Sequence, residues 1–211
     1  MSAGFEHEGI GFYPAYFDAT GQSKLLDAIA DVIDRAPFFT PCMPRTGRPF
    51  SVQMTNCGPL GWVSDVKGYR YQPHHPQTGA PWPQMPQVLT DLWRDLGAPG
   101  EAEACLINLY RHTAKMGLHQ DRDEAELAAP VISVSLGDTA VFRIGGTVRR
   151  APTRSMRLAS GDVLMFGGPA RLAYHGVDRI LSGSSRLVSG GGRINLTLRR
   201  VNALENGPCV S

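Results

Sequence analysis

At 211 residues, with 42% hydrophobic and 19% charged residues, the chain has the size and composition of one folded domain, which excludes a disordered or fibrous protein. A formal net charge of +2 neither demands nor forbids a polyanionic partner, and no apolar run approaches the length of a membrane span. The opening MSAGFEHEGIGFYPAYF lacks the basic and apolar regions of a signal peptide, and Cys42, Cys57, Cys105 and Cys209 form no C-x-x-C pair, so free thiols in a reducing cytoplasm are expected.

In chain order, Thr20 to Ala36 predicts an amphipathic helix. Leu25, Leu26, Ile29, Val32 and Ile33 recur at helical spacing, Thr20 can cap the start, and Pro37 lies just past the end. Phe38 to Met85 is rich in Pro, Gly and aromatic residues; short strands such as Ser51 to Thr55 and long functional loops are expected there. A second helix is predicted from Pro86 to Leu96, with Val88, Leu89, Leu92, Trp93 and Leu96 on its apolar face and Gly97 as its stop.

The second half changes character. Ala104 to Arg111, Val131 to Leu136, Ala140 to Ile144, Asp162 to Phe166, Tyr174 to Arg179 and Arg193 to Val201 read as strands punctuated by glycine pairs. No crossover helices separate them, which points to a mainly β fold with flanking helices, an antiparallel sheet pair or barrel. Arg143, Arg149, Arg150, Arg154 and Arg157 crowd one stretch: either a patch for an acidic polymer or the solvated edge of a sheet.

Three elements carry chemistry. His119-Gln120-Asp121 and the distant His175 supply two imidazoles and one carboxylate, the facial set that leaves three positions open on a non-haem iron(II) ion. A zinc site more commonly closes its coordination or uses three histidines. In Arg193 to Arg199, strand alternation puts Arg193, Asn195, Thr197 and Arg199 on one face and Ile194, Leu196 and Leu198 on the other. Turned inward, two guanidiniums need anionic partners such as a dicarboxylate; turned outward, they are an ordinary edge strand. Asn108 and Tyr110 share a strand face and could reach the same ligand. His7, His74, His75 and His112 read as surface or loop residues; side chains of the adjacent His74 and His75 diverge, with no third ligand nearby.

The stretches MTNCGPLGW, KGYRY, PQTGAPWPQMP, ACLINLY, LHQDRDE, PVISVSLG, GDVLMFGG, YHGV and RINLTLR, in that order, cover most of the chain from about residue 50 onward. They resemble the AlkB family of iron(II)/2-oxoglutarate-dependent oxidative DNA and RNA dealkylases, in its bacterial repair branch. The resemblance implies a double-stranded β-helix, or jelly roll, with an N-terminal helical, nucleotide-recognition lid. Residues 1–97 would form the helices and lid and 98–211 the dioxygenase core of one catalytic domain. It implies iron(II) on the catalytic His119, Asp121 and His175, with 2-oxoglutarate as cosubstrate and dioxygen as oxidant. Arg193 would pair with the distal carboxylate of 2-oxoglutarate, aided by Tyr110, while Asn108, Asn195 and Arg199 would lie near its metal-proximal end or support it. Trp62 would stack on the alkylated base against His119, Tyr69 would contact the nucleotide backbone, Asp123 would approach the exocyclic amino group, and Arg149 would lie at the substrate edge.

The implied reaction repairs bases such as N1-methyladenine and N3-methylcytosine in DNA, with RNA a second nucleic-acid substrate, and releases aldehyde. Neither a membrane nor an obligate protein partner is implied. Residues 182–192 and the segment before residue 50 depart from the family pattern. Rival readings are a hydroxylase of the same cofactors acting on a substrate other than nucleic acid, a damage-binding module without catalysis, and a cupin-like metal isomerase.

Overall fold

Alternating side chains decide how this chain packs, because each major strand has two differently composed faces. The structure, a computed structural model, describes residues 5–7 and 9–204; the side chain of His7 and all of Cys209 lie outside what is described. In chain order the elements are β1 (Phe5–His7), β2 (Ile10–Tyr13), α1 (Ala19–Arg35), β3 (Gln53–Cys57), β4 (Gly61–Asp65), β5 (Gly68–Gln72) and α2 (Gln87–Asp95). Then follow β6 (Ala104–Tyr110), β7 (Met116–His119), β8 (Val131–Gly137), β9 (Thr139–Ile144), β10 (Arg154–Leu158), β11 (Val163–Phe166), β12 (His175–Leu181) and β13 (Arg193–Arg199).

The strands form a seven-stranded sheet, β1-β2-β11-β8-β13-β6-β3, a four-stranded sheet, β10-β9-β12-β7, and a separate β4–β5 hairpin. Every pairing is antiparallel. On β13, Ile194, Leu196 and Leu198 join one core with Leu25, Ile29 and Val32 of α1 and Leu89, Leu92 and Trp93 of α2. The opposite face of the large sheet packs on the small one: Leu106, Tyr110, Leu164 and Phe166 meet Phe142, Ile144, Val177 and Ile180. The helices therefore cover the outer face of the large sheet, and the polar face of β13 is sealed between two sheets. This is the double-stranded β-helix expected. Among the described residues no helix is long and apolar enough to cross a membrane.

Several local expectations are corrected. Asp18 caps α1, its Oδ1 accepting from Gly21 N at 2.7 Å, so the helix starts one residue before Thr20, the residue expected to cap it. Pro86 occupies the cap position of α2 rather than its first turn, and Gly97 (φ 70°) ends that helix. The second half holds two strands beyond the six expected, β7 and β10. Arg154 and Arg157 lie on β10, an edge strand of the small sheet, and Arg143 pairs with Asp178 at 2.8 Å. His75 is not a surface residue. It is 2% exposed, lies against Phe39 and Trp82, and contacts Pro37 O through Nε2 at 2.8 Å. Cys42, Cys57 and Cys105 are free thiols.

Gly176 follows His175 where the β12 register shifts. A Cβ there would sit 2.6 Å from the backbone oxygen of Met116 and 2.9 Å from that of Gly117, so only glycine lets β7 approach this closely. Gly176→Ala is expected to cost about 1–3 kcal/mol through forced separation of the two strands. Urea unfolding of the variant checks this; a wild-type midpoint would count against so tight a pairing.

Candidate active site

His119 closes β7 and His175 opens β12, and the two are direct partners across those strands. That pairing brings residues 56 positions apart to a ring-centroid separation of 4.5 Å. Each Nδ1 lies 2.9 Å from a carbonyl two residues upstream, Gly117 O and Ala173 O respectively. With Nδ1–H donating to the carbonyl, each Nε2 keeps its lone pair for a metal. Asp121 Oδ1 stands 3.6 Å from His119 Nε2, and its Oδ2 3.9 Å from His175 Nε2. Ligand atoms of all three residues lie within 4.8 Å of one another, the one group of this kind among the described residues.

Arg199 completes the carboxylate. Its Nη2 and Nε donate to Asp121 Oδ2 at 2.7 and 3.1 Å, leaving Oδ1 without a guanidinium partner. Burial alone would raise the Asp121 carboxyl, but Arg199 and the two imidazoles outweigh it and hold the group well below the usual carboxylate range. Burial, reinforced by His119, pushes His175 down to about 4, so both groups stand in the ligand-ready state at neutral pH.

The inward face of β13 forms a ladder with β6, Arg193 opposite Tyr110 and Asn195 opposite Asn108. Asn195 donates to Ser133 Oγ at 2.8 Å and Val134 O at 3.0 Å. Arg193 is 1% exposed and donates through Nη2 to Ser135 Oγ at 3.0 Å, with the Tyr110 ring 5.5 Å away. Its Nε and Nη1 have no hydrogen-bond partner, nor does Asn108 Oδ1. A buried guanidinium so underused is costly by itself, roughly 1–3 kcal/mol for each unmet group, and fits an anion supplied from outside the chain. Burial lowers Arg193 to about 10, partly offset by Tyr110, and raises Tyr110 to about 12, so the cation and the phenol both persist at neutral pH. The donor set and these unmet groups thus fit a divalent metal with a dicarboxylate beside it.

One cavity of about 320 Å³ gathers the metal-ligand cluster with Asn108, Tyr110, Asn195, Arg199, Trp62, Tyr69, Asp123 and Arg149. Arg193 stands outside this lining, one pair along the ladder. Trp62 stacks on Tyr69 at 5.5 Å and 19°, and its Nε1–H donates to Asp123 Oδ2 at 2.8 Å. Arg149 lies 5.8 Å from the Tyr174 ring. The sequence reading missed Tyr71, Glu124 and Arg171, all engaged beside this cluster. Tyr71 could have been found from its strand parity with Tyr69; Glu124 in a charged run and a lone Arg171 in a turn gave no signal.

The family model for the 2OG-Fe(II) oxygenase superfamily matches residues 9–199. The chain is 59% identical over 193 residues to an alpha-ketoglutarate-dependent dioxygenase AlkB homolog of Caulobacter vibrioides, covering 91% of this chain and 87% of the relative; alpha-ketoglutarate is 2-oxoglutarate. It is 43% identical to the alpha-ketoglutarate-dependent dioxygenase AlkB of Escherichia coli K12, covering 90% and 89%. The solved structure of OsALKBH1 superposes with a TM-score of 0.78 at 30% identity, over 94% of this chain and all of that one.

Because the folded pKa of His175 lies below its free value, acid favours the unfolded chain. Chelator-treated protein should hold full stability above about pH 6.5 and lose roughly 3 kcal/mol as the pH falls to about 4. A urea titration series across that window checks the loss; His175→Gln should remove this part of it, and a flat profile in the parent would refute the assignment.

Proposed function

The chain belongs to the 2OG-Fe(II) oxygenase superfamily, in its AlkB branch, and from that premise we propose that it repairs N-alkylated nucleobases by oxidative dealkylation. The observation that carries the reading is that one cavity joins the His-Asp-His cluster to an aromatic hairpin face with a carboxylate beside it.

His119 and His175 through Nε2, and Asp121 through Oδ1, would hold the iron. Arg193, assisted by Tyr110, would take the distal carboxylate of 2-oxoglutarate, while Asn108 and Asn195 face its metal-proximal end. Bound there, iron(II), 2-oxoglutarate and dioxygen together supply the oxidising power to hydroxylate an N-alkyl carbon, after which the product sheds aldehyde.

The protein contributes placement and exclusion of water. Trp62 offers a flat platform to a base taken out of its stack, worth roughly 1–3 kcal/mol per base. A cationic alkylated base gains further from the indole face. Asp123 uses Oδ2 for the Trp62 indole. Its other oxygen can accept an exocyclic N–H and favours a positively charged lesion. Tyr69, 52% exposed on the outer side of Trp62, is placed for the nucleotide backbone, and the exposed Arg149 for the rim. The β4–β5 hairpin serves as the lid. The three thiols among the described residues are free, two of them fully buried, and fit a reducing cytoplasm. DNA is the principal substrate in this reading and RNA the second, with no obligate protein partner.

The test is aldehyde release from N1-methyladenine and N3-methylcytosine in matched single- and double-stranded DNA and RNA, with iron, ascorbate and 2-oxoglutarate present. His119→Ala should abolish release. Arg193→Met should raise the KM for 2-oxoglutarate on the order of a hundredfold, as expected when a buried charge partner is removed. Absence of turnover on every methylated strand, alongside intact 2-oxoglutarate binding, would transfer the reading to a hydroxylase of another substrate.

A further inference from the structure

The acidic residues of the run Asp121-Arg122-Asp123-Glu124 each hold a different part of the molecule. Asp121 accepts from Arg199 at the end of β13. Asp123 accepts from the Trp62 indole. Glu124, 6% exposed, accepts from the Tyr71 hydroxyl at 2.5 Å through Oε1 and from Arg171 Nη2 at 3.0 Å through Oε2, with Arg199 Nε 3.4 Å from Oε1. Arg171 also donates to Asp121 O at 2.5 Å and Ala129 O at 2.8 Å, so it secures the backbone of the run as well as its last carboxylate.

Trp62 and Tyr71 are direct partners in the β4–β5 register, so both side chains leave the same face of the hairpin. That hairpin belongs to neither large sheet, and a two-stranded hairpin alone is marginally stable. Asn56 fixes the Trp62 backbone on both sides, through its amide at 3.0 Å and its carbonyl at 3.1 Å. The face itself is held by the two carboxylates next to Asp121. Burial holds the Tyr71 hydroxyl well above its ordinary range, so it stays a donor.

We propose that Glu124, braced by Arg171, is a positioning residue that locks the Trp62-bearing hairpin, through Tyr71, to the Asp121 carboxylate, through Arg199. The inference rests on the reading of Asp121 as metal ligand and Trp62 as base platform. Its consequence is that the distance between platform and metal is set by this buried carboxylate together with Asp123 and Asn56, rather than by the sheets alone.

Two variants test it in the full chain, by hydrogen exchange of the 61–72 amides, by Mn(II) binding without cosubstrate, and by steady-state kinetics on a methylated oligonucleotide. Tyr71→Phe should speed hairpin exchange about tenfold, as loss of one buried hydrogen bond implies, with Mn(II) affinity within about twofold of the parent. Its kinetic defect should fall on KM for the oligonucleotide rather than on kcat. Glu124→Gln should speed hairpin exchange and also weaken Mn(II) binding about tenfold, since two buried guanidiniums then share one carboxylate. Parental hairpin exchange in Tyr71→Phe overturns the proposal, even if Glu124→Gln fails to fold. Faster exchange spread evenly over β6 and β13 would show a general structural role and also overturns it. Exchange and Mn(II) binding do not depend on dealkylation, so failure of the proposed activity is read separately.

Discussion

The pair between Arg199 and Asp121 lies at the join of the two sheets. Arg199 ends the last strand of the large sheet, and Asp121 follows the edge strand of the small one, both nearly sealed from water. A carboxylate between two facing sheets would be strongly disfavoured alone, and breaking such a pair leaves an uncompensated buried charge. With Arg199 on Oδ2, the carboxylate stays ionised and its other oxygen keeps room for a cation. Arg171 and Glu124 extend the pair into a cluster of two cations and two anions, so these four groups balance one another in charge.

The two arginines of the last strand have separate roles. Sequence reasoning set both around the cosubstrate, Arg193 on its far carboxylate and Arg199 near the metal-proximal end or in support. In the fold Arg199 is satisfied by the protein itself, whereas Arg193 is buried with Nε and Nη1 unmet. A buried donor left open costs stability unless a ligand meets it. One arginine is thus paired within the protein, and the other keeps donors open to a ligand. The same division runs along β6, where Asn108 Oδ1 is also unmet while Ile107 and Leu109 pack toward the helices.

The β4–β5 hairpin gives a small aromatic surface an address. Its strands form a ladder only with each other, and its orientation comes from Asn56, Cys42 and Trp82 together with side-chain contacts to the segment that carries Asp121. Such an arrangement ties the metal-ligand cluster and the aromatic hairpin face to one short stretch of chain. Within this run Asp121 and Glu124 are buried against donors from other elements, while Arg122 and Asp123 stay exposed.

Much of this was legible in the residues. Period-2 alternation over Arg193 to Arg199 assigned its two faces, helical spacing found α1 and α2, and the motif order identified the family. Alternation could say that two arginines share a face, but not whether that face meets solvent or a second sheet. Helix packing on Ile194, Leu196 and Leu198 settled that, because only one face of the sheet can meet α1 and α2. The strands β7 and β10 escaped notice because a four-residue MGLH and an arginine-bearing RSMRL carry little hydrophobic signal; pairing with β12 and β9 makes them strands. His75 read as a surface residue because its burial depends on Phe39, 36 residues upstream, and on Trp82 across a turn. The sequence by itself determined which side chains could bind a metal and a dicarboxylate, since ligand chemistry belongs to residue type. Only the tertiary structure decided which guanidinium is already paired and how Trp62 is tied to Asp121. Both are set by contacts between segments far apart in the chain, which local periodicity does not encode.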